Sequence, residues 1–191
     1  MTDEEIIILY KNGNEEVFKN LINRYASPLF NFTARLTNRN DASDIVQEIF
    51  IKIWKNINRF DERKASFKTW IFTIAKNTTT DFFRKKRNLL FSDMPARRGG
   101  EKDNDNEDNN SFAENIPDEQ ILPDIALEKL QDKEFLNDVL NKLEPNYREI
   151  LLLHYQEEMT FSEISEILNK PLNTVKSQHR RAIMELRKGL N

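Results

Sequence analysis

Four polar residues near the end of the chain combine hydrogen-bond donors with helical spacing: Lys176, Ser177, Arg180 and Arg181. Positions one, three or four apart place most of these side chains on one face of a helix. Arginine and lysine donate to guanine O6 and N7 or to phosphates, while serine suits a phosphate or a secondary base contact. This helix face therefore indicates contact with duplex DNA. The alternative is a solvent-exposed helix face that carries scattered basic residues.

The segments that would position these residues read as two short helices joined by a tight turn. A capping-box pattern, Thr160 with Glu163, starts the first helix, which we predict over Thr160–Leu168. The turn has the sequence NKPL, and the second helix is predicted over Asn173–Leu190 with Asn173 as its N-cap. Its opposite face is apolar and should pack inward (Val175, Ala182, Ile183, Leu186). This is the pattern of a helix-turn-helix, whose second helix enters the major groove.

A second basic segment, Asn58–Arg87, interleaves aromatic and cationic side chains. The mixture suits single-stranded nucleic acid, because aromatic planes stack on exposed bases at about 1–3 kcal/mol each while cations follow the backbone. At helical spacing, however, each of Phe67, Trp70 and Ile74 is expected to be an ordinary core residue. The loop Arg59–Ser66 is therefore the better candidate for direct contact with bases.

Charge is divided unevenly along the chain. Between Ser92 and Asp124, ten acids oppose three bases and give the segment a net charge of −7. The whole chain carries −3, so the remainder carries +4, which favours a nucleic-acid partner. The acidic segment also contains Gly-Gly, prolines and many Asp and Asn residues, which predicts a flexible linker.

The composition also argues against several other classes of protein and site. The absence of cysteine excludes disulfides and thiolate metal sites and fits a reducing compartment. No secretory signal or stretch of about 18 apolar residues is present, so we expect a cytoplasmic protein. His154 and His179 are isolated in sequence, without a His-Glu-x-x-His motif or a P-loop. We therefore expect no catalytic residue, no metal site and no cofactor.

The fold prediction is all-α, with two small helical domains over 1–90 and 125–191 joined by a flexible acidic linker over 91–124. Thr2 with Glu5 forms a capping box for a helix that ends near Asn12-Gly13. Asn14, Asp41 and Ser66 are the predicted N-caps of the next three helices. In the second domain, helices are also predicted over Ala126–Leu143 and Pro145–Tyr155. Apolar residues at helical spacing form the predicted inner faces (Val17, Phe18, Leu21, Ile22, Tyr25; Ile45, Val46, Ile49, Phe50, Ile53, Ile57; Phe67, Trp70, Ile71, Ile74, Ala75).

Three stretches, DASDIVQEIFIKIWKNINRF, SFKTWIFTIAKN and DFFRKKR, closely resemble region 2 of bacterial RNA polymerase sigma factors. The stretch LEPNYREILLLHYQEEMTFSEISEILNKPLNTVKSQHRRAIMELRK is similar to region 4. Both motifs occur in the right order around an acidic linker, without room for the extra domains of the housekeeping type. The chain thus resembles the extracytoplasmic-function (ECF) group of the sigma-70 family.

The resemblance implies roles for matching positions. It implies contact with the clamp helices of the polymerase β′ subunit for one set (Asp44, Gln47, Glu48). It implies capture of the melted −10 promoter element for a second set (Arg59, Phe60, Arg63, Lys64, Ser66, Phe67, Asn77, Asp81, Arg84). It implies reading of the −35 element for a third set (Thr174, Lys176, Ser177, Arg180, Arg181).

The function implied by the resemblance is that of a sigma factor, a non-enzymatic subunit that works with core RNA polymerase through its β′ and β subunits. Such factors are commonly held by an anti-sigma factor, and we expect a monomer, without membrane insertion, when no partner is bound. Two alternatives remain open from the residues. One is an autonomous operator-binding regulator with an N-terminal dimerisation or sensor domain. The other is a helical hydrolase with a carboxylate metal site, which no inward-facing Glu-x-x-His repeat supports.

Overall fold

The computed structural model describes residues 1–37, 39–92 and 140–190, with side chains to Asn88 in the second range and Lys188 in the third. All regular structure in these ranges is helical, which confirms the all-α prediction. The first unit contains α1 (Asp3–Lys11), a 3₁₀ turn (Glu15–Val17), α2 (Phe18–Leu36), α3 (Arg39–Asn56), a 3₁₀ turn (Ile57–Arg59) and α4 (Phe67–Ser92). The second contains α5 (Pro145–Leu151), a π-helical turn (Leu152–Gln156), α6 (Phe161–Leu168) and α7 (Leu172–Leu190).

Two of the predicted caps in the first unit are confirmed. Thr2 Oγ1 accepts from the Glu5 N–H at 3.3 Å, and the Thr2 N–H donates to Glu5 Oε2 at 2.7 Å. The first helix ends at Lys11, and Gly13 follows at a φ of +98°, a region that glycine adopts without steric cost. Ser66 caps α4, because its hydroxyl accepts from the Thr69 N–H at 3.1 Å.

Two other predicted caps are wrong. Asn14 makes no side-chain capping bond, since a 3₁₀ turn over Glu15–Val17 comes between it and α2. Asp41 lies inside the first turn of α3, which begins two residues earlier at Arg39. Its carboxylate instead accepts from Lys86 Nζ at 3.1 Å, which ties α3 to α4. Helix α4 also continues through Ser92, two residues beyond the predicted end of the first domain.

The core of the first unit follows the predicted inner faces. Ile45, Ile49 and Ile53 are buried along α3, and Ile57 continues the row into the 3₁₀ turn. The rings of Phe32 on α2 and Phe72 on α4 meet edge to face with centroids 5.4 Å apart. Of the residues predicted to point inward, five are only partly buried and pack against the margin of the core (Ile22, Val46, Phe50, Trp70, Ile74).

The second unit confirms the helix-turn-helix elements and corrects two boundaries. Thr160 and Glu163 form the predicted capping box at the start of α6. The predicted helix over Pro145–Tyr155 is instead α5 followed by the π-helical turn. The last helix begins at Leu172, so Asn173 lies in its first turn and is not the N-cap. The predicted helix over Ala126–Leu143 lies outside the described residues except for a helical turn at 140–142.

The two units pack against each other through α4 and α6, and buried residues of both belong to one continuous hydrophobic cluster. Between α5 and α2, Arg148 Nη1 donates to the backbone oxygen of Arg35 at 3.2 Å. The predicted linker lies outside the described residues beyond position 92. Within the part of the chain that the structure describes, none of the helices combines the length and apolar character that a membrane span requires.

Replacing a buried ring should cost far more stability than replacing an exposed ring on the same helix. Phe72 is fully buried, so we expect Phe72→Ala to lower the free energy of unfolding by about 3–5 kcal/mol. Phe83 is 45% exposed, and we expect Phe83→Ala to cost about 0.5 kcal/mol or less. Urea unfolding followed by circular dichroism measures both changes. Equal losses in the two variants would contradict the assigned packing of α4.

Candidate nucleic-acid interface

Helix α7 separates its apolar and polar sides as the sequence predicts. Val175, Ala182 and Ile183 are fully buried, and Leu186 is 3% exposed. Arg180 and Arg181 are exposed on the outer side, with the predicted DNA contacts Thr174, Lys176 and Ser177 partly exposed nearer its N-terminus. The structure therefore brings this whole set together on one accessible surface, which is called the α7 face below.

The turn before α7 is fixed by local hydrogen bonds. Asn169 ends α6 in the left-handed conformation at a φ of +51°, which asparagine tolerates better than most residues. Lys170 Nζ donates to Gln178 Oε1 at 3.2 Å and so connects the turn to the second turn of α7. The Ser177 hydroxyl donates to the Thr174 backbone oxygen at 2.9 Å. These contacts orient the N-terminal part of the α7 face.

A cluster of aromatic rings supports α7 from below. The His179 ring is 7% exposed, stacks against Tyr155 and meets Phe161 edge to face at 4.9 Å. Its Nε2 shares a hydrogen bond with the Tyr155 hydroxyl at 3.2 Å. His154 lies between them, stacked on Phe161 at 4.5 Å, and its Nδ1 donates to the Met159 backbone oxygen. The two histidines are isolated in sequence, but they lie close together in the structure and pack beneath α7.

The loop between α3 and α4 is exposed at its polar positions. Arg59, Arg63 and Lys64 are exposed, as is the capping residue Ser66. Asp61 accepts from both Nε and Nη2 of Arg63 at 3.0 Å. Hydrogen bonds from the side chain and backbone of Arg63 lower the pKa of Asp61 to about 2. The loop is thus an ordered, solvent-facing turn rather than part of the core.

Phe60 and Phe67 do not fit their predicted contact with DNA. Phe60 is 7% exposed and Phe67 is 1% exposed. Their rings meet edge to face at 5.4 Å, and Phe67 also contacts Tyr25 at 5.7 Å. Lys11 Nζ donates to the backbone oxygen of Phe60 at 2.9 Å and holds the loop against α1. Both rings are occupied in packing the loop onto the core, so neither is available to stack on a base.

A cleft of about 450 Å³ lies where the end of α3 meets α4. This volume falls in the range of small-ligand clefts, about 300–1,000 Å³. Two predicted −10 residues, Arg59 and Asn77, contribute to its wall, together with others that the sequence did not single out for this role (Lys52, Asn56, Trp70, Ile74, Thr78). Lys52 Nζ donates to Thr78 Oγ1 at 3.1 Å across the cleft. The cleft therefore offers hydrogen-bonding groups beside the side chain of a tryptophan.

Two further predicted residues lie beyond the cleft on α4. Arg84 is exposed, and its Nη2 donates to Asp81 Oδ1 at 2.9 Å within the same helix. Asp81 is partly exposed, one turn after Asn77. The three residues Asn77, Asp81 and Arg84 therefore continue the polar surface that begins at the cleft.

The outer face of α3 combines polar and apolar exposed residues. Asp44 and Gln47 are exposed, and Glu48 forms a 2.9 Å ion pair with Lys52. Ile51 and Trp54 are 50% and 52% exposed on the same helix. The sequence reasoning missed both residues, although they interrupt the polar side of α3 at a spacing of three. Exposed large apolar groups beside acids are typical of a protein-binding surface.

Comparisons with known proteins agree on one family. Residues 21–89 match the family described as Sigma-70 region 2, and residues 136–186 match the family Sigma-70, region 4. The chain is 33% identical over 181 residues to the ECF RNA polymerase sigma factor SigW of Bacillus subtilis, which covers 94% of this chain and 92% of that protein. It is 27% identical over 185 residues to the ECF RNA polymerase sigma-E factor of Haemophilus influenzae, covering 95% and 92%.

Two solved structures share the fold over most of the chain. One is CnrH in complex with the cytosolic domain of CnrY, with a TM-score of 0.66, 21% identity, and coverage of 98% of this chain and 96% of that chain. The other is the sigma factor RpoE in complex with the anti-sigma factor NepR from Bartonella quintana. It has a TM-score of 0.64, 23% identity, and coverage of 91% and 96%. These likenesses support the helical fold described above.

The buried His179 predicts acid sensitivity of the second unit. Burial, with a smaller effect of the nearby His154, lowers the pKa of His179 from 6.5 to about 4. As the pH falls, His179 is therefore protonated near pH 6.5 in the unfolded chain but only near pH 4 in the folded chain. We expect this group to contribute about 3 kcal/mol of stability above pH 6.5 and to lose it progressively as the pH falls to 4.

Urea unfolding at pH 7 and pH 4.5 measures this loss, and His179→Phe is the matched variant. Phenylalanine keeps an aromatic ring in the cluster but cannot be protonated. Because every other group titrates in both proteins, we expect the variant to lose less stability between the two pH values. Equal losses in the two proteins would exclude His179 as the source of the acid sensitivity.

Proposed function

The chain belongs to the ECF group of the sigma-70 family of RNA polymerase sigma factors, and we propose that the surfaces described above carry out its promoter-specific transcription initiation. The observation that carries this proposal is the pairing of two different nucleic-acid surfaces in one chain. The α7 face suits duplex DNA, whereas the loop and cleft beside α4 suit unpaired bases. We assign these surfaces to two functional domains over 1–90 and 125–191, with a tether over 91–124.

The α7 face is proposed to read the −35 element. Arg180 and Arg181 are exposed where the helix would face the major groove, and each can donate two hydrogen bonds to guanine. Lys176 and Ser177 lie nearer the N-terminus of α7, where base-edge contacts are made in helix-turn-helix proteins. Thr174 stands at the margin of the face and is suited to a phosphate.

The loop Arg59–Ser66 and the adjoining cleft are proposed to hold the melted −10 element. Taking a base out of the duplex costs a few kcal/mol, which stacking and hydrogen bonds must offset. Trp70 supplies a ring at the cleft, and Asn77 can both donate and accept hydrogen bonds with a base edge. Arg63 and Lys64 are exposed in the loop and would follow the phosphates. Asp81 and Arg84 would extend contact toward the neighbouring duplex.

The outer face of α3 is proposed to bind core polymerase. Asp44, Gln47 and Glu48 supply the polar contacts, and Ile51 and Trp54 add exposed apolar area further along the same helix. Large aromatic residues of this kind commonly dominate the binding energy of protein interfaces. Glu48 also contacts Lys52, which lines the cleft, so one side chain links the proposed polymerase surface to the proposed −10 site.

Sigma factors are transcription initiation factors without catalytic activity, and we propose that this chain likewise has none and acts in the cytoplasm. An anti-sigma factor is a proposed further partner, because RpoE, which has the same fold, is described in complex with one. The second candidate function is an autonomous operator-binding regulator. It would bind duplex promoter DNA tightly without polymerase, whereas a sigma factor should gain specific binding only with the core enzyme.

Charge reversal on the α7 face should abolish selection at −35. We expect Arg180→Glu/Arg181→Glu to lower initiation from −35-dependent promoters at least about tenfold, because each lost contact costs about 1–3 kcal/mol. The measurement is in vitro transcription with core polymerase on a library of random promoters, read by sequencing the transcripts. Arg187→Glu/Lys188→Glu makes the same charge change at the far end of α7 and should alter selection little. Identical −35 preferences in both variants would refute this site.

Removing the exposed indole of α3 should weaken polymerase binding. We expect Trp54→Ala to lower affinity for core polymerase about tenfold or more, as at a central interface residue. The matched control is Ile8→Ala on α1, because Ile8 is 54% exposed and Trp54 is 52% exposed. Equilibrium titration of core polymerase with each variant measures the effect. Wild-type affinity of Trp54→Ala would place the polymerase surface elsewhere.

A further inference from the structure

The ammonium of Lys52 is held at the wall of the cleft by side chains from two helices. It forms a 2.9 Å ion pair with Glu48 Oε1, one turn earlier on α3. It also donates to Thr78 Oγ1 of α4 at 3.1 Å. Thr78 is itself 1% exposed, so its hydroxyl is a fixed partner. The Lys52 ammonium is therefore held in place, although the four-carbon stem of a lysine is normally flexible.

The Lys52 ammonium keeps the capacity to make one more hydrogen bond. An ammonium has three N–H donors and no acceptor. Glu48 and Thr78 take two of these donors, and they are its hydrogen-bond and ion-pair partners within the part of the chain that the structure describes. The side chain of Lys52 is 35% exposed, so the charge is only partly screened by water. A partly enclosed cation interacts more strongly with a bound group than a cation in open water does.

The other polar groups of the cleft are mostly hydrogen-bond donors. Arg59 carries a guanidinium, which has five N–H donors and no acceptor. Asn56 and Asn77 each carry one amide, which both donates and accepts. The Asn56 amide nitrogen donates to the Lys52 backbone oxygen at 2.8 Å, which fixes that amide at the end of α3. The cleft therefore suits a ligand that offers strong acceptors together with some donors.

We propose that Lys52 is a further specificity-determining residue of the −10 site, and that its remaining N–H donates to a carbonyl oxygen of the captured base. The inference rests on the proposed function, because it assumes that the cleft holds an unpaired base. Guanine, cytosine and thymine each carry at least one carbonyl oxygen, whereas adenine carries none. The cleft should therefore discriminate against adenine at the captured position.

The chemistry of the four bases supports this order of preference. Adenine accepts hydrogen bonds only at ring nitrogens, and its N1 and N7 both flank the N6 amino group, whose hydrogens repel an approaching cation. Guanine presents O6 beside N7, the pair of acceptors that lysine and arginine commonly contact. Cytosine presents O2, and thymine presents O2 and O4. Hydrogen bonds from a charged donor are about twice as strong as those between neutral groups, so losing one at adenine has a clear cost.

The fixed position of the Lys52 ammonium is what allows it to distinguish bases. A mobile lysine at the surface follows phosphate oxygens, which are the same for every base and carry no sequence information. Because Glu48 and Thr78 already hold the ammonium, little further freedom is lost when a base binds. We therefore assign Thr78 as a positioning residue, which acts through Lys52.

The test compares variants of the full chain together with core polymerase. Lys52→Met removes the charge and the donors but keeps an unbranched side chain. Lys52→Gln supplies one donor and one acceptor, the combination with which glutamine contacts N6 and N7 of adenine. The control is Lys55→Met, which makes the same charge change at an exposed position of α3 outside the cleft. Circular dichroism checks that each variant is folded.

The measurement is in vitro transcription from promoters randomised over the −10 element, with the transcripts read by sequencing. At one position we expect the wild type and Lys55→Met to use adenine about tenfold less than the preferred base, an effect that one specific base contact can supply. Tenfold corresponds to about 1.4 kcal/mol. Lys52→Met should reduce this difference to about twofold or less. Lys52→Gln should shift the preference at the same position toward adenine.

Unchanged base preferences in Lys52→Met and Lys52→Gln would overturn the proposal. A loss of equal size with all four bases would also overturn it, because Lys52 would then contact a phosphate. Glutamine can still donate to Thr78, so Lys52→Gln tests the proposal even where Lys52→Met does not fold. A wild type that fails to initiate with core polymerase would count against the proposed function instead. Initiation with unaltered preferences would count only against the role of Lys52.

Discussion

The burial of one side of α4 against α2 and α3 determines where every polar group of the first unit points. Phe67, Ile71 and Phe72 occupy that side and are almost completely enclosed. Because successive positions of a helix are rotated by a fixed angle, this packing directs Asn77 and Arg84 outward and Lys68 toward the second unit. The proposed −10 surface and the contact between Lys68 and Glu157 of the second unit therefore share one rigid support. A change in the core of α4 would disturb both together.

A similar division organises α7. Its inner side is held by aliphatic residues and by the His179 ring, and its outer side carries the exposed arginines. Burial keeps the imidazole neutral near pH 7, although it lies one position before Arg180. Positive charge is thereby confined to the side that faces solvent. Helix α7 is therefore amphipathic: its inner side is neutral and its outer side is charged. This arrangement does not place a cation in the core.

Much of this arrangement could be predicted from the sequence because it depends on local patterns. Helical periodicity located the buried isoleucines of α3, and the Thr160 capping box located the start of α6. The side of α7 that carries the basic residues also followed from spacing alone. Asn14 and Asp41 were wrong as caps because side chains of this type also suit turns and first-turn positions. Local propensity does not decide between those sites.

The remaining features depend on contacts between distant positions. Lys68 and Glu157 are 89 residues apart, and Thr69 and Glu163 are 94 apart, so no periodicity connects them. The π-helical turn that presents Glu157 reads in sequence as ordinary helix. The burial of Phe60 depends on how the loop folds back onto α1 and α4, which the aromatic–basic composition did not reveal. The predicted site residues themselves remain predictions that mutagenesis can test.

The positions of the two tryptophans give the molecule a pair of intrinsic optical reporters. Trp54 is half exposed on the outer face of α3, whereas Trp70 lies among Phe60 and Phe67, next to the residues that contact the second unit. The two indoles lie in environments of different polarity and should therefore emit at different wavelengths. Binding of a large protein on α3 would alter the emission of Trp54, and a rearrangement at the contact between α4 and the second unit would alter that of Trp70. The unlabelled chain can thus show which event comes first.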